Sequence, residues 1–342
     1  MANLIDVAKR AGVSKTLVSR VVNHQGGVSE ESKKKILEAM RELNYIPNGM
    51  ARALVTGRTS IIGIILDSLC EPYFFELIKG IEAEIARSNY HVIFCSGNND
   101  AQIKEQYIDL FSSGRTDGVI IYGSNYDDVE LIKRISKSNF PMAVVENVID
   151  DGNVNNVIVE NAFGSRLVVN HLYEKGCRNI LHITGTSTSK VALDRQRGYE
   201  EAMQDLGLSA KTLDCGNFRM ECGYQAVEEL LRQQGRERLP DAIYFGADVL
   251  AYGGIMALQD NGLSVPGDLK AAGFDDDSPF HYGIERKLPP LTSIRQPLYH
   301  IGTETVRLLL SQIANPDMKR EKRIFYPELV IRESTTGSEK NT

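Results

Sequence analysis

Apolar residues recur along the chain with two different periods, and the change between them falls near residue 60. Over residues 15–23, at about 100° per residue, Leu17, Val18, Val21 and Val22 fill one arc while Lys15, Thr16, Ser19, Arg20 and Asn23 fill the other. This predicts a short amphipathic helix. Ser14 stands at its N-cap position, and Gly12 stands where a preceding helix, begun at Ile5–Ala8, must turn without a Cβ penalty. Two helices so spaced fit a helix-turn-helix, whose second helix lies in the major groove; a solvated surface helix has the same two-faced pattern. A third helix is expected after Val28, with Ser29 as cap, Glu30 and Glu31 at the positive end of its dipole, and Ile36, Leu37, Met40 and Leu43 as its apolar face, ended by Pro47.

Asn48 to Leu54 offers a further short helix, capped by Asn48 and built from small residues such as Ala51 and Ala53. Seven residues cannot hold a helix alone in water, so this segment is expected to order only on a support. DNA together with a second copy of the same helix would supply one, with Leu54 as an apolar wedge for a minor-groove base step; a plain linker is the other reading.

From Ile61 the pattern becomes short apolar strands alternating with amphipathic helices. Strands are expected at residues 61–66, 91–95, 118–122, 142–146, 179–184, 242–245 and 270–274, and helices at 74–88, 102–113, 163–175, 199–206, 223–233 and 250–261. That alternation is the mark of parallel sheets covered on both faces, and the long interval around Asp150 to Asn156 favours two α/β lobes over one sheet. Ligands of such folds sit at the carboxyl ends of strands, so a cleft between lobes is the expected pocket.

Charge separates the two regions. Residues 1–60 carry ten Lys and Arg against five Asp and Glu, net +5, whereas the rest carries 29 against 40, net −11. A basic head on an acidic body is expected where one segment meets phosphate, and it weighs against the merely solvated helix face. With 342 residues there is chain enough for two or three domains. The absence of a membrane-length apolar run and of a signal-peptide pattern leads us to expect a cytoplasmic protein with no membrane partner. Five cysteines without a CxxC pair read as reduced, mostly buried thiols. No phosphate loop, dinucleotide fingerprint, GxSxG elbow or HExxH motif occurs, and the six histidines lack metal-ligand spacing. No catalytic residue, metal site or cofactor is therefore assigned.

With Ile5-Asp6-Val7-Ala8, Gly12-Val13-Ser14, Val18-Ser19-Arg20-Val21-Val22-Asn23, Leu43-Asn44-Tyr45-Ile46-Pro47-Asn48 and Ala51-Arg52-Ala53-Leu54 in order, followed by Pro72-Tyr73-Phe74-Phe75, Glu160-Asn161, Arg195 with Gly198-Tyr199, Gly273-Phe274-Asp275-Asp276 and Pro290-Leu291-Thr292-Ser293-Ile294-Arg295-Gln296, the chain resembles the LacI/GalR family of bacterial transcription regulators over essentially its full length. The resemblance implies an all-α helix-turn-helix head (residues 1–46), a hinge helix and linker (47–58), a periplasmic-binding-protein-like core of two α/β lobes (59–334) and a polar tail (335–342). It implies a homodimer on a pseudo-palindromic operator, acting as a repressor of carbohydrate-utilisation genes, with a small-molecule effector between the lobes. On the head, Lys15, Thr16 and Arg20 then read base edges, Arg20 suiting guanine and Lys15 a base or a phosphate. Ser14, Ser19, Asn23, Tyr45 and Asn48 touch the DNA backbone, and Ala51 and Leu54 form the minor-groove hinge. Leu17 replaces a threonine common in the family, which puts one hydroxyl contact in doubt.

In the core the resemblance points to Phe74, Asn147, Arg195, Phe245, Asp248, Asp275 and Gln296 as effector contacts. Arg195 and Asp275 suit paired hydrogen bonds to adjacent hydroxyls of a sugar; Asp275 as a mere cap, and Arg195 as the ion-pair partner of Asp194 or another acid, are the structural alternatives. Ala247 stands where many members have Asn, so the ligand is expected to differ from the commonest sugars, with a nucleoside or purine as the other effector class. A global regulator docking a phosphoprotein is a further alternative, though His300 beside Tyr299 departs from the acidic residue that surface would favour. The polar tail lacks heptads, so a dimer without a tetramerising coiled coil is expected, its face partly on a helix over 299–313 bearing Ile301, Val306, Leu308, Leu309 and Leu310.

Overall fold

The computed structural model describes residues 2–23, 25–46, 53, 57–123, 125–147 and 153–336. Its head contains α1 (Leu4–Ala11), α2 (Lys15–Val22) and α3 (Glu30–Glu42). Asn3 caps α1 in a capping box with Asp6, Gly12 closes it at φ 67°, and the hydroxyls of Ser14 and Ser29 cap α2 and α3. Val7, Ala8, Val18, Val21, Ile36 and Ala39 are the buried centre of this bundle. Leu37, expected on the buried face of α3, is 38% exposed, because Ile36 and Ala39 define a narrower stripe. The hinge residues Asn48, Ala51 and Leu54 lie outside the described residues.

The core consists of two six-stranded sheets. The first, ordered β11-β5-β4-β3-β1-β2, comprises β1 (Ile61–Leu66), β2 (His91–Ser96), β3 (Gly118–Tyr122), β4 (Met142–Val145), β5 (Asn155–Val159) and β11 (Lys322–Phe325). It is covered by α4 (Phe74–Ile85), α5 (Ala101–Leu110), α6 (Asp127–Ser136) and α11 (Leu298–Ala314). The second, ordered β12-β10-β9-β8-β6-β7, comprises β6 (Ile180–Thr184), β7 (Lys211–Asp214), β8 (Ala242–Phe245), β9 (Lys270–Asp275), β10 (Thr292–Arg295) and β12 (Glu328–Val330). Around it lie α7 (Asn161–Glu174), α8 (Lys190–Asp205), α9 (Met220–Gln234), α10 (Asp248–Asp260) and α12 (Glu333–Thr336). All pairings but β10 with β12 are parallel. Central strands such as β1 read as unbroken apolar runs because both faces are covered, whereas edge strand β2 alternates exposed and half-buried positions at its start.

Three crossovers join the lobes: β5 to α7, β10 to α11 and β11 to β12. They put Glu160-Asn161, Gln296-Pro297 and Tyr326-Pro327 on the hinge between lobes, where a few backbone angles can absorb a domain motion. Backbone contacts also bridge the lobes elsewhere: Asn125 forms an isolated bridge with Ser189, and the Tyr126 N–H donates to the Thr188 carbonyl at 3.2 Å.

The helix over 299–313 forms, but not as a free face. Ile301, Val306, Leu308 and Leu309 are 4% exposed or less, inside the core of their own lobe. Gly80 on α4 and Gly302 on α11 allow the two helices to touch backbone to backbone; an added Cβ would come within 2.1 Å of the Tyr299 carbonyl oxygen and 2.3 Å of that of Leu77. The tail expected from Thr335 starts later. Thr335 is 1% exposed and hydrogen-bonded to Thr292 and His171, so the packed chain runs through α12. Of the cysteines only Cys177 is buried; Cys70 is exposed and the other three are intermediate, which corrects the expectation of mostly buried thiols.

Candidate DNA-reading face and interlobe cleft

Lys15, Thr16 and Arg20 are exposed together on α2, on the side opposite Val18 and Val21. Among the described residues no ion pair engages Lys15 or Arg20, whereas Arg10, Lys33 and Lys35 are tied to Glu42, Glu30 and Glu31. The second helix thus carries two cations, Lys15 and Arg20, that no carboxylate neutralises among the described residues. Ser14 accepts the Leu17 N–H at 3.2 Å, which leaves its O–H to donate outward. Asn23 and Ser19 are half-buried and bonded to each other at 3.2 Å, so neither is as open to a phosphate as the wheel suggested. Tyr45 is half-buried against the head's core.

In the core, the carboxyl ends of β4 and β9 face each other across the lobes through a continuous hydrogen-bonded line. Glu146 Oε2 accepts from Asn161 Nδ2 at 3.2 Å, and Asn161 Oδ1 accepts from Arg195 Nε at 3.0 Å. Arg195 Nη2 reaches Asp275 Oδ1 at 3.2 Å, and Gln296 Nε2 donates to that same oxygen at 2.8 Å. The Tyr73 hydroxyl then meets Gln296 Oε1 at 3.4 Å and the Tyr122 hydroxyl at 3.0 Å. Arg195 also donates to the Gly246 carbonyl and lies 3.7 Å over the Phe274 ring, which locks its orientation. Asp194 instead pairs with Lys190 and Arg197, so the acid paired with Arg195 is Asp275 itself. Burial raises both carboxyls to about 7, although Arg195 opposes the shift.

Arg195, Asp275 and Gln296 are therefore brought together. Asn147, next to Glu146, is fully buried; its Nδ2 donates to the Asn125 carbonyl, and among the described residues its Oδ1 has no hydrogen-bond partner. Phe74 is 2% exposed and lies edge-on to Tyr122, with ring centroids 5.0 Å apart, so it underlies the cleft while its neighbour Tyr73 reaches into the polar line. Two expected contacts fall elsewhere. Asp248 is buried at the start of α10, accepting from Ser293 Oγ at 2.6 Å and the Asp277 N–H at 2.8 Å, and so holds the loop after β9 from behind. Phe245 is fully buried in its lobe, its ring against the space that Gly254 leaves open. In the acidic triplet, Asp276 binds Arg295 and Arg332, and Asp277 binds His281 and Tyr282, so Asp275 alone is held by Arg195 and Gln296.

Glu146, Asn161, Tyr73 and Tyr122 were not picked out as contacts from the sequence. Glu146 lay at the predicted end of a strand, the position where open α/β sheets bind ligands, and that was the available signal. A groove of about 650 Å³ opens beside the line, between Tyr73 and Phe75 of one lobe and Asp275 and His281 of the other. Among the described residues no group of three or more His, Cys, Asp or Glu side chains is placed to hold a metal, and no helix is long and apolar enough to cross a membrane.

A helix-turn-helix with unpaired cations, joined to a hinged two-lobed core with a polar cleft, defines a ligand-responsive DNA-binding regulator. Residues 3–48 match the bacterial regulatory proteins of the lacI family, and residues 169–335 match the periplasmic binding protein-like domain. The chain is 34% identical to the HTH-type transcriptional repressor PurR of Mannheimia succiniciproducens and 35% identical to that of Haemophilus influenzae, over 98% of each chain. A solved Lac repressor dimer bound to operator and the anti-inducer ONPF matches with a TM-score of 0.84 at 27% identity, covering 98% of this chain and 99% of that one. The transcriptional regulator CelR in complex with cellobiose matches at 0.70 and 25% identity, covering 98% and 100%. The chain belongs to the lacI family of bacterial regulatory proteins: it is a DNA-binding transcriptional repressor, not an enzyme.

Proposed function

We propose that this repressor binds a pseudo-palindromic operator as a homodimer and that a small uncharged ring compound, held between the lobes, sets its affinity for DNA. The observation that supports this most is the polar line from Glu146 to Tyr122, which gathers donors and acceptors from both lobes and two of the three hinge crossovers at one point. A ligand bonded to such groups has different contacts in open and closed lobes, which is what coupling requires. Lys15, Thr16 and Arg20 read base edges, Leu54 is the hinge wedge, and Arg195, Asp275, Gln296 and Asn147 bind the effector.

A purine base or nucleoside is the first effector class, on the strength of whole-length relatives named PurR at 34–35% identity. A sugar is the second, favoured by the Arg195–Asp275 pair and by relatives solved with cellobiose and with ribose, at 25% and 26% identity. A thermal-shift screen of the full chain against purine bases, nucleosides and sugars separates them, since a ligand at about 100 times its dissociation constant stabilises by about 2.7 kcal/mol. A shift with purines alone or sugars alone names the class. No shift with any of them, where the protein still binds selected operator DNA, would overturn the effector assignment.

A further inference from the structure

The interlobe line contains two carboxyls and one guanidinium. Glu146 directly follows β4 in one lobe at φ 72°, and Asp275 ends β9 in the other at φ 116°. Both sit in the left-handed region, which a side-chain-bearing residue occupies only when its surroundings hold it there. Among the described residues Arg195 is the one cation hydrogen-bonded into the line. One guanidinium balances one carboxylate; ionising both acids would leave an uncompensated negative charge in a largely buried site.

The surroundings do not supply the missing charge. Next to Glu146, Lys190 on α8 favours the ionised carboxyl and its partner Asp194 opposes this, but burial of Glu146 outweighs both. Behind Asp275 lie Asp277 after β9 and the buried Asp248 of α10, and the remaining neighbours Tyr73, Tyr122 and Tyr244 are phenols that burial keeps protonated. In the same lobe as Glu146, Lys104 lies between Asp67 and Asp128.

We propose that the line carries one exchangeable proton near neutral pH, shared between Glu146 and Asp275, and that losing it biases the lobes toward opening. The two acids belong to different lobes, so their ionisation places like charges on facing surfaces, and separation relieves the repulsion by admitting water. Burial shifts each acid upward into the neutral range, in keeping with this charge count. The consequence for regulation rests on the reading of the cleft as the effector site, whereas the proton and the lobe balance do not.

The test uses the full chain without ligand. An acid held above its unfolded value binds its proton more tightly when folded, so stability falls as pH rises through the window between the two values and levels off above it. We expect the wild-type melting temperature to drop by several degrees more than that of E146Q or D275N between about pH 6 and about pH 8.5. Small-angle scattering should show a wild-type radius of gyration that grows over the same interval and an E146Q value that does not. Should the variants fail to fold, infrared spectra of the wild type decide, with a protonated-carboxyl band present at about pH 6 and lost by about pH 8.5. Parallel melting slopes in all three proteins, or absence of that band, would overturn the shared proton; a pH-independent wild-type radius would overturn its link to lobe opening. None of these readouts needs the effector, so failure of the purine and sugar screen is told apart from failure of this proposal.

Discussion

Arg195 meets three demands with one planar group: it holds Asp275, fixes the hinge residue Asn161 and caps the Gly246 carbonyl, all while lying on Phe274. A lysine offers a point charge in place of a fork, so Arg195→Lys should keep the fold and lose effector binding by about tenfold or more, measured by calorimetry with the ligand found in the screen. Arg20 is the corresponding residue on the head. Because it is exposed and makes no ion pair there, Arg20→Ala should leave the melting temperature unchanged and weaken operator binding by about 1–3 kcal/mol in fluorescence anisotropy. A loss of stability instead would mark it as structural.

His182 shows a residue whose chemistry is set entirely by burial. Its ring lies between Tyr199 and Tyr244, Nδ1 donates to the Tyr244 carbonyl at 3.0 Å, and burial lowers its pKa to about 4. With the folded value below the unfolded 6.5, the stability is present above pH 6.5 and lost as pH falls toward 4. His182→Gln should flatten this acid limb, removing a dependence on the order of 3 kcal/mol in denaturant titrations at a series of pH values. Equal slopes in both proteins would show that other groups carry the acid sensitivity.

At the scale of elements, caps and glycines determine which helices form and how closely they pack. Ser14 caps α2 through the Leu17 N–H, so Ser14→Ala should lower the stability of the head by about 1 kcal/mol, visible as earlier loss of helix signal on heating. Gly302 permits the backbone contact between α11 and α4, and Gly302→Ala should lower the stability of the core by up to about 3 kcal/mol, since the added carbon meets a carbonyl and not a yielding side chain. Legibility differed between elements for physical reasons. Long apolar runs such as β1 and β8 were found within a residue or two because burial on both faces leaves no polar position. Strand β5, Asn155–Val159, starts inside the interval expected around Asp150 to Asn156; its first two residues are asparagines, yet both are buried, with Asn155 Nδ2 bonded to Gln312 and Asn156 Nδ2 to the Val154 carbonyl. Edge strands β7, β11 and β12 were missed because half-exposed strands carry mixed residues. Helix α6, absent from the helices expected, begins with Asp127-Asp128, and Asp128 is buried against Lys104.

At the scale of the whole molecule, charge and exposed surface set what the protein meets. The head's net +5 should make operator affinity fall steeply with salt, and a flat dependence would contradict phosphate binding by this segment. With the apolar face of α11 consumed inside its lobe, the homodimer we propose would need other surface. Phe280, 84% exposed on the turn after Ser278, is our proposed contact with a second copy. Phe280→Asp should shift the protein toward monomer in analytical ultracentrifugation and weaken operator binding, without altering the circular dichroism spectrum.

What the sequence determined by itself was local and periodic: a capped helix pair with one polar face, the alternation of buried strands and helices, the split in charge, and motifs ordered as in the lacI family. Such features depend on residues a few positions apart, where the backbone dictates which side chains share a face. The tertiary structure alone decided which polar residues meet. Residues 73, 122, 146, 161, 195, 275 and 296 come from both lobes and two crossovers, and no spacing along the chain relates Glu146 to Asp275. It likewise decided that Asp248 braces the loop after β9 and that Phe245 and the leucines of α11 are packed within their lobes, because burial is a property of neighbours folded in from elsewhere and not of the residue that is buried.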